Sequence, residues 1–459
     1  MTTLNLASPI DGSIVASRES VSLDQALGAI AAARQAQREW ARVSLGQRVA
    51  LVRGFLDALL AMNDEVVPEI AWQMGRPTRY GGEFGGVRER GEYMLSIAET
   101  ALAPLTIEDS AAFHRFIARE PLGVVMVIAP WNYPYLTAIN AVVPALVAGN
   151  AVVLKHATQT LLAGERFQLA AERSGLPRGL FVNLALDHAV CEAVLSAGAV
   201  NFVNFTGSVG GGRAIERAAA GTFTGVGLEL GGKDPGYVME DADMARAVDT
   251  LIDGAMFNSG QCCCGIERIY VAEAVFDDFV ERAVAQVELY RLGNPLDPET
   301  TLGPMAHTRF AELVREQTAQ ALARGARGLI DPKRFAADAP GTPYLAPQIL
   351  VDVDHDMRVM REESFGPVVG IMKVRDDAEA VRLMNDSDYG LTASLWTADR
   401  ARAEALGRQI ETGTLFQNRA DYLDPALCWT GCKDTGRGAS LSALGYLALT
   451  RPKSFHLRT

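Results

Sequence analysis

At 459 residues the chain exceeds what one hydrophobic core normally supports, so two or more domains with a cleft between them are expected. Apolar residues at 49% and charged residues at 21% suit a globular protein and argue against long disorder. A net charge of −12 withholds the basic face that a general nucleic-acid binder needs.

The opening Met1-Thr2-Thr3-Leu4-Asn5 lacks a basic segment followed by an apolar run and does not read as a secretory signal. The longest apolar stretches, 123–129 and 141–154, are too short or too broken by Pro144, Gly149 and Asn150 to span a bilayer. A cytoplasmic location is expected, with no membrane insertion. Residues 23–42 and 46–62 carry Ala, Leu and Val at helical spacing and read as surface helices. The β-branched run 122–128, ended by Ala129-Pro130, reads as a buried strand. Strands at 150–154, 181–184, 202–205 and 225–230 follow, with a helix at 160–174, giving a βαβ series and a mostly parallel sheet. A second series begins near Asp241: a helix to 258, a strand at 268–271, helices to 292 and over 307–324, then strands at 348–351, 368–373, 393–396 and 414–417. The glycines after Glu229 mark the expected hand-over between domains.

Four segments carry chemistry. Gly260-Gln261-Cys262-Cys263-Cys264 offers a thiol on a tight turn, although a cysteine triplet equally suits buried packing. The six cysteines include these three neighbours, which cannot form well-spaced bridges, so reduced thiols are expected, with the flanking two packed and turned away from Cys263. Glu229 lies in a run of strand residues and glycines. A carboxylate there either serves as a base of raised pKa or caps and pairs locally. Pro130-Trp131-Asn132-Tyr133-Pro134 follows a strand directly, where ligands bind in open α/β sheets, and Asn132 could donate to an oxyanion or to its own turn. Phe205-Thr206-Gly207-Ser208-Val209-Gly210-Gly211-Gly212 precedes a helix whose first N–H groups suit a pyrophosphate, although it is not the usual G-x-G-x-x-G fingerprint. Cys428 and Cys432 have no further metal-ligand partners nearby, so no metal is expected.

Taken in order, with Lys155, Glu362-Glu363-Ser364-Phe365-Gly366-Pro367, Asn418 and 431–436, these segments resemble the aldehyde dehydrogenase superfamily over essentially the whole chain. The resemblance implies an α/β fold: a Rossmann-like domain binding NAD or NADP (1–103 and 122–229), an α/β catalytic domain (230–435) and a small β oligomerisation arm (104–121 and 436–459). A homodimer or homotetramer is implied. So is a non-acylating reaction in which Cys263 is the nucleophile, Asn132 the oxyanion donor and Glu229 the base of thioester hydrolysis. Lys155 matches the adenine-ribose contact, with Thr158 three residues on; Ser208 matches a pyrophosphate contact; Glu363 with Phe365 matches the pair that positions the nicotinamide ribose and ring; and Trp131, Gly207 and Gly231 are implied as further cofactor-binding positions. A CoA-acylating dehydrogenase or an acyl-phosphate reductase would share the thiol without needing Glu229.

Three departures bear on specificity. Thr158 stands where NAD-preferring relatives hold a glutamate, so no carboxylate repels a 2′-phosphate. The tail reads Gly438-Ala439-Ser440 in place of the usual Gly-Arg-Glu. Around Leu154-Lys155-His156-Ala157 the chain resembles the superfamily's succinate-semialdehyde enzymes, yet Asn140 replaces the arginine they often hold. With a tunnel read as Tyr133, Tyr135, Leu136, Asn140, Phe257, Tyr422 and Trp429, a neutral aliphatic or aromatic aldehyde is expected, a semialdehyde being the alternative. Arg419 is a further candidate for an acidic group.

Overall fold

The computed structural model describes residues 2–420 and 422–458. Two open sheets organise them. The first has the order Gly436–Arg437, Gly225–Glu229, Phe202–Thr206, Val124–Ala129, Ala151–His156, Phe181–Asn183, and every pairing is parallel except that of the Gly436–Arg437 edge. All six residues of Val124–Ala129 and of Ala151–His156 are buried, as expected for β-branched strands covered on both faces by helices. Strand order reverses beside Val124–Ala129, so the loop carrying Asn132 leaves the sheet at the position where ligands bind in such folds.

Helices expected at 23–42 and 46–62 run over Leu23–Trp40 and Leu45–Leu60, started by Ser22 and Ser44, whose hydroxyls accept from Gln25 N and Gln47 N. Trp40 Nε1 donates to Leu146 O at 2.8 Å and ties the first helix to Leu136–Val147. That helix was not distinguished in the sequence from its apolar surroundings, because Ala138–Val147 are all buried and no polar face reveals a period. Asn63–Met74 and Phe84–Ala101 are two further helices beyond those expected.

The second sheet has the order Arg327–Gly328, Gln348–Val351, Val368–Val374, Ile266–Ala272, Asp234–Val238, Thr392–Trp396, Thr414–Gln417, again parallel except at one edge. Glu229 ends a strand of the first sheet and Asp234 begins one of the second. A third sheet joins Thr450–Arg458, Phe113–Pro121 and Leu105–Asp109 in antiparallel fashion. Gly436–Arg437, expected with this arm, instead pairs with Leu228 and Glu229 at the edge of the first sheet. Among the described residues no helix is long and apolar enough to cross a membrane.

Candidate active site

The helix Met244–Met256 ends at Phe257, and the chain then turns through Asn258, Ser259 and Gly260, all at positive φ (55°, 56° and 70°). Gly260 is required there: a Cβ would stand 2.2 Å from Gly366 O. The turn presents Cys263, half-buried, to a cavity of about 300 Å³. Cys262 and Cys264 are buried and face one another at 3.5 Å between sulfurs, and Cys262 also hydrogen-bonds Cys263, which pushes its own thiol up to about 12. The flanking thiols therefore do not turn away from Cys263. The segment is a turn rather than an extended strand, so alternate residues do not point to opposite sides.

Asn132 is buried, and its Nδ2 donates to Gln261 O at 3.1 Å, which fastens the Pro130–Pro134 loop to the cysteine loop. A buried ion pair stands behind this junction. Arg76 donates to Glu83 Oε1 at 2.6 Å, to Asn258 Oδ1 at 3.1 Å and to the Asn132 carbonyl, while Glu83 Oε2 accepts from the Leu136 and Tyr135 N–H groups at 2.8 and 3.1 Å. Both side chains are at most 3% exposed, and burial pushes Glu83 upward. No local motif announced this pair.

Glu229 reaches the same cavity. Its Oε1 accepts from Ser440 Oγ at 2.6 Å and its Oε2 from Thr206 Oγ1 at 3.2 Å. Burial raises its pKa, and the two hydroxyls and the charge of Arg90 oppose that rise. The tail's departure at Ser440 thus falls beside the carboxylate.

Tyr133, Leu136, Thr137, Asn140, Phe257, Tyr422 and Trp429 line the cavity, as do Thr206, Leu391 and Leu423. Tyr135 does not. It is fully buried between Phe84 and Phe167, with ring centroids at 5.1 and 5.6 Å. The backbone is already helical at Tyr135, and residues 133, 136, 137 and 140 form the i, i+3, i+4, i+7 stripe that faces the cavity; position 135 falls off it. Arg419 is exposed and stacks on Tyr422 outside the cavity lining. Sequence reading missed Arg90, which lines the cavity from helix Phe84–Ala101 and is 6% exposed.

In the loops behind the cysteine turn, Trp131 packs edge-on against Phe365 at 5.5 Å. Glu363 accepts from Gly232 N at 3.1 Å, and a Cβ on Gly231 would lie 2.3 Å from its carboxylate, so that glycine leaves the acid its room. Burial pushes Glu363 up to about 8. The loop is set by a buried Lys233–Glu267 pair, in which Glu267 also accepts from Ser364 N and Phe365 N at 2.8 and 2.9 Å. Gly207 N donates to Glu229 O at 3.0 Å, and exposed Ser208 caps helix Val209–Ala219. Lys155 is 6% exposed with no hydrogen-bond or ion-pair partner among the described residues, and burial lowers its pKa. Thr158 opens the short turn just beyond it. A buried ammonium without a partner, a helix N-terminus and an acid beside a bare glycine fit the ribose, pyrophosphate and nicotinamide-ribose portions of a dinucleotide.

A thiol and a carboxylate face one cavity beside a doubly wound sheet, and the whole lies within an α/β enzyme architecture. The chain belongs to the aldehyde dehydrogenase family: the model for the aldehyde dehydrogenase family matches residues 2–455. It is 33% identical over 426 residues to succinate-semialdehyde dehydrogenase [NADP(+)] of Deinococcus radiodurans, covering 92% of this chain and 88% of that one. It is 31% identical over 453 residues to 3,6-anhydro-alpha-L-galactose dehydrogenase of a Vibrio species, covering 98% and 94%. The solved succinate-semialdehyde dehydrogenase of Burkholderia pseudomallei superposes with a TM-score of 0.95 at 29% identity, over 100% of this chain and 95% of that one. Relatives named for different aldehydes lie at nearly equal identity, so overall likeness does not select the substrate.

Proposed function

We propose that this chain oxidises a short aldehyde to its carboxylic acid with NAD(P)+, through a thioester on Cys263 hydrolysed by water that Glu229 activates. The observation that carries this reading is the single cavity walled by both Cys263 and Glu229, with Asn132 fastened to the cysteine loop. Cys263, as thiolate, adds to the aldehyde carbon, and the carbonyl electron pair moves to oxygen. Asn132 Nδ2, which gives one hydrogen to Gln261 O, has a second for this oxyanion, and the Cys263 N–H adds another donor. When bound, the dinucleotide supplies the hydride acceptor for the substrate carbon. Cys263 then carries an acyl group. Glu229 takes a proton from water as the water oxygen attacks the acyl carbon, the C–S bond breaks and the acid leaves.

Lys155 and Thr158 would hold the adenine ribose, Gly207 and Ser208 the pyrophosphate, and Trp131, Gly231, Glu363 and Phe365 the nicotinamide end. Thr158 carries no charge, so either NAD+ or NADP+ is accommodated; the Deinococcus relative, named for NADP(+), supports the second. Apolar and aromatic walls, and a volume at the small end of the ~300–1,000 Å³ range of ligand pockets, favour a short chain. The antiparallel arm, with Leu105, Ile107 and Leu457 each about half exposed, supports self-association.

The test is rapid mixing of Glu229→Gln enzyme with aldehyde and NAD(P)+. One equivalent of reduced cofactor per site is expected, followed by a stalled phase in which intact mass shows an acyl adduct on Cys263. Cys263→Ala should give neither. Unaltered turnover by Glu229→Gln would remove the base assignment, and release of the adduct only on adding CoA would favour an acylating enzyme.

A further inference from the structure

The cavity wall holds one buried cation. Arg90 Nη1 donates to Leu136 O at 3.0 Å and to Asn140 Oδ1 at 3.3 Å, while Nε and Nη2 have no hydrogen-bond partner and no carboxylate lies within ion-pair distance among the described residues. Asn140, 2% exposed and also on the wall, keeps its Nδ2 without a partner. A guanidinium taken out of water at 6% exposure carries a large desolvation cost unless an anion meets it. Among the described residues no carboxylate supplies that anion. Elsewhere in the chain, a comparably buried arginine, Arg76, is ion-paired with Glu83, and Arg268 is wrapped by backbone carbonyls and a tyrosine hydroxyl. Arg90 has donors left over and a cavity in front of it.

We propose that Arg90, oriented by Asn140, is the specificity-determining residue, and that it receives the carboxylate of a short ω-oxo acid whose aldehyde end meets Cys263. This rests on the aldehyde-oxidising reading above and names the substrate class within it. The neutral substrate expected from sequence followed from Asn140 standing where an arginine was sought. The guanidinium comes instead from helix Phe84–Ala101 and uses that same asparagine as a support. The methylenes between the two ends lie along Leu136, Phe257, Leu423 and Trp429, which line the cavity. Among the described residues, two carboxylates share the wall. Glu89 is exposed and accepts from the Tyr422 hydroxyl, so solvent screens it. Glu229 already holds two hydroxyl donors and sits with the reacting thiol rather than as an ion-pair partner of Arg90. A planar fork with free N–H groups matches a carboxylate in a bidentate manner, which a lysine would not reproduce.

The competing role for Arg90 is to stabilise the Cys263 thiolate or the Glu229 carboxylate, whose charges it feels. The experiment separates the two. kcat/KM is measured with succinate semialdehyde and with butanal, which has the same carbon count and no carboxylate, for wild type, Arg90→Gln and Arg90→Lys. The wild type should prefer the acid by at least tenfold, a comparison that needs no variant. Arg90→Gln should lose at least 30-fold more kcat/KM on succinate semialdehyde than on butanal, with Arg90→Lys between. Calorimetric titration with succinate should show binding to the wild type and none to Arg90→Gln of unchanged melting temperature. Parallel loss on both aldehydes, equal wild-type use of both, or succinate binding that survives Arg90→Gln would each overturn the proposal. Failure of the parent reading looks different: the wild type would then give no reduced-cofactor burst with any aldehyde.

Discussion

Replacing Ser440 by alanine removes the shorter of the two hydrogen bonds that hold the Glu229 carboxylate, 2.6 Å against 3.2 Å from Thr206. Burial raises Glu229 above the ordinary carboxylate range, and both hydroxyls pull it back down. A hydrogen bond to a charged group contributes about 1.5–3 kcal/mol, so its loss favours the protonated acid. The sign follows from the role: the base works when ionised, so a higher pKa moves the acid limb of hydrolysis toward alkaline pH. On that limb the rate of thioester hydrolysis should fall roughly ten- to hundredfold, at about 1.4 kcal/mol per factor of ten. On the alkaline plateau it should match the wild type. The assay follows decay of the acyl adduct on Cys263 by acid quench and mass measurement from acid to alkaline pH. Ser440→Thr, which keeps the hydroxyl, serves as the control. A fall of equal size at every pH, or a limb that does not move, would refute the reasoning and leave Ser440 as mere packing.

Arg76→Met should cost about 3–5 kcal/mol in urea unfolding, because it leaves Glu83 buried and uncompensated; Arg76→Met with Glu83→Gln should recover part of that loss. Thr158→Glu should raise the KM for NADP+ at least tenfold relative to NAD+ in steady-state assays, by placing a negative charge opposite the 2′-phosphate. His156 is buried and held neutral, with its pKa lowered to about 4 from 6.5, its Nε2 donating to Pro134 O at 3.0 Å and its Nδ1 accepting from Ala157 N. The unfolded chain binds this proton more readily, so the contribution is complete above about pH 6.5 and is lost as pH falls toward 4. It amounts to about 3 kcal/mol, and His156→Gln should flatten that part of the stability profile measured by chemical denaturation.

The strands of the first sheet were legible because both faces are covered, which forces β-branched runs such as Val124–Ala129 and leaves no helical period to confuse them. Asp234–Val238 was not, since Asp234-Pro235-Gly236 carries the signals of a turn; only its central place in the second sheet makes it a strand. Cys263 and Glu229, singled out by residue type and order, line one cavity, and Asn132, singled out in the same way, is tied to the cysteine loop through Gln261 O. Arg90 was invisible because Arg88-Glu89-Arg90 in an opening helix marked by Gly85 and Gly86 reads as a solvated face. Which of those charges turns inward depends on contacts with Leu136 and Asn140, far along the chain. Ser440 was noticed as a departure, yet nothing local connects it to Glu229, which lies 211 positions away.

The close approach of Gly260 to the Gly366 carbonyl keys the cysteine loop into the loop that bears Glu363 and Phe365. Neither can be re-aimed alone. A substitution aimed at Glu363 or Phe365 alone would therefore reach the sulfur as well, and any re-aiming of the two loops has to be made in both together.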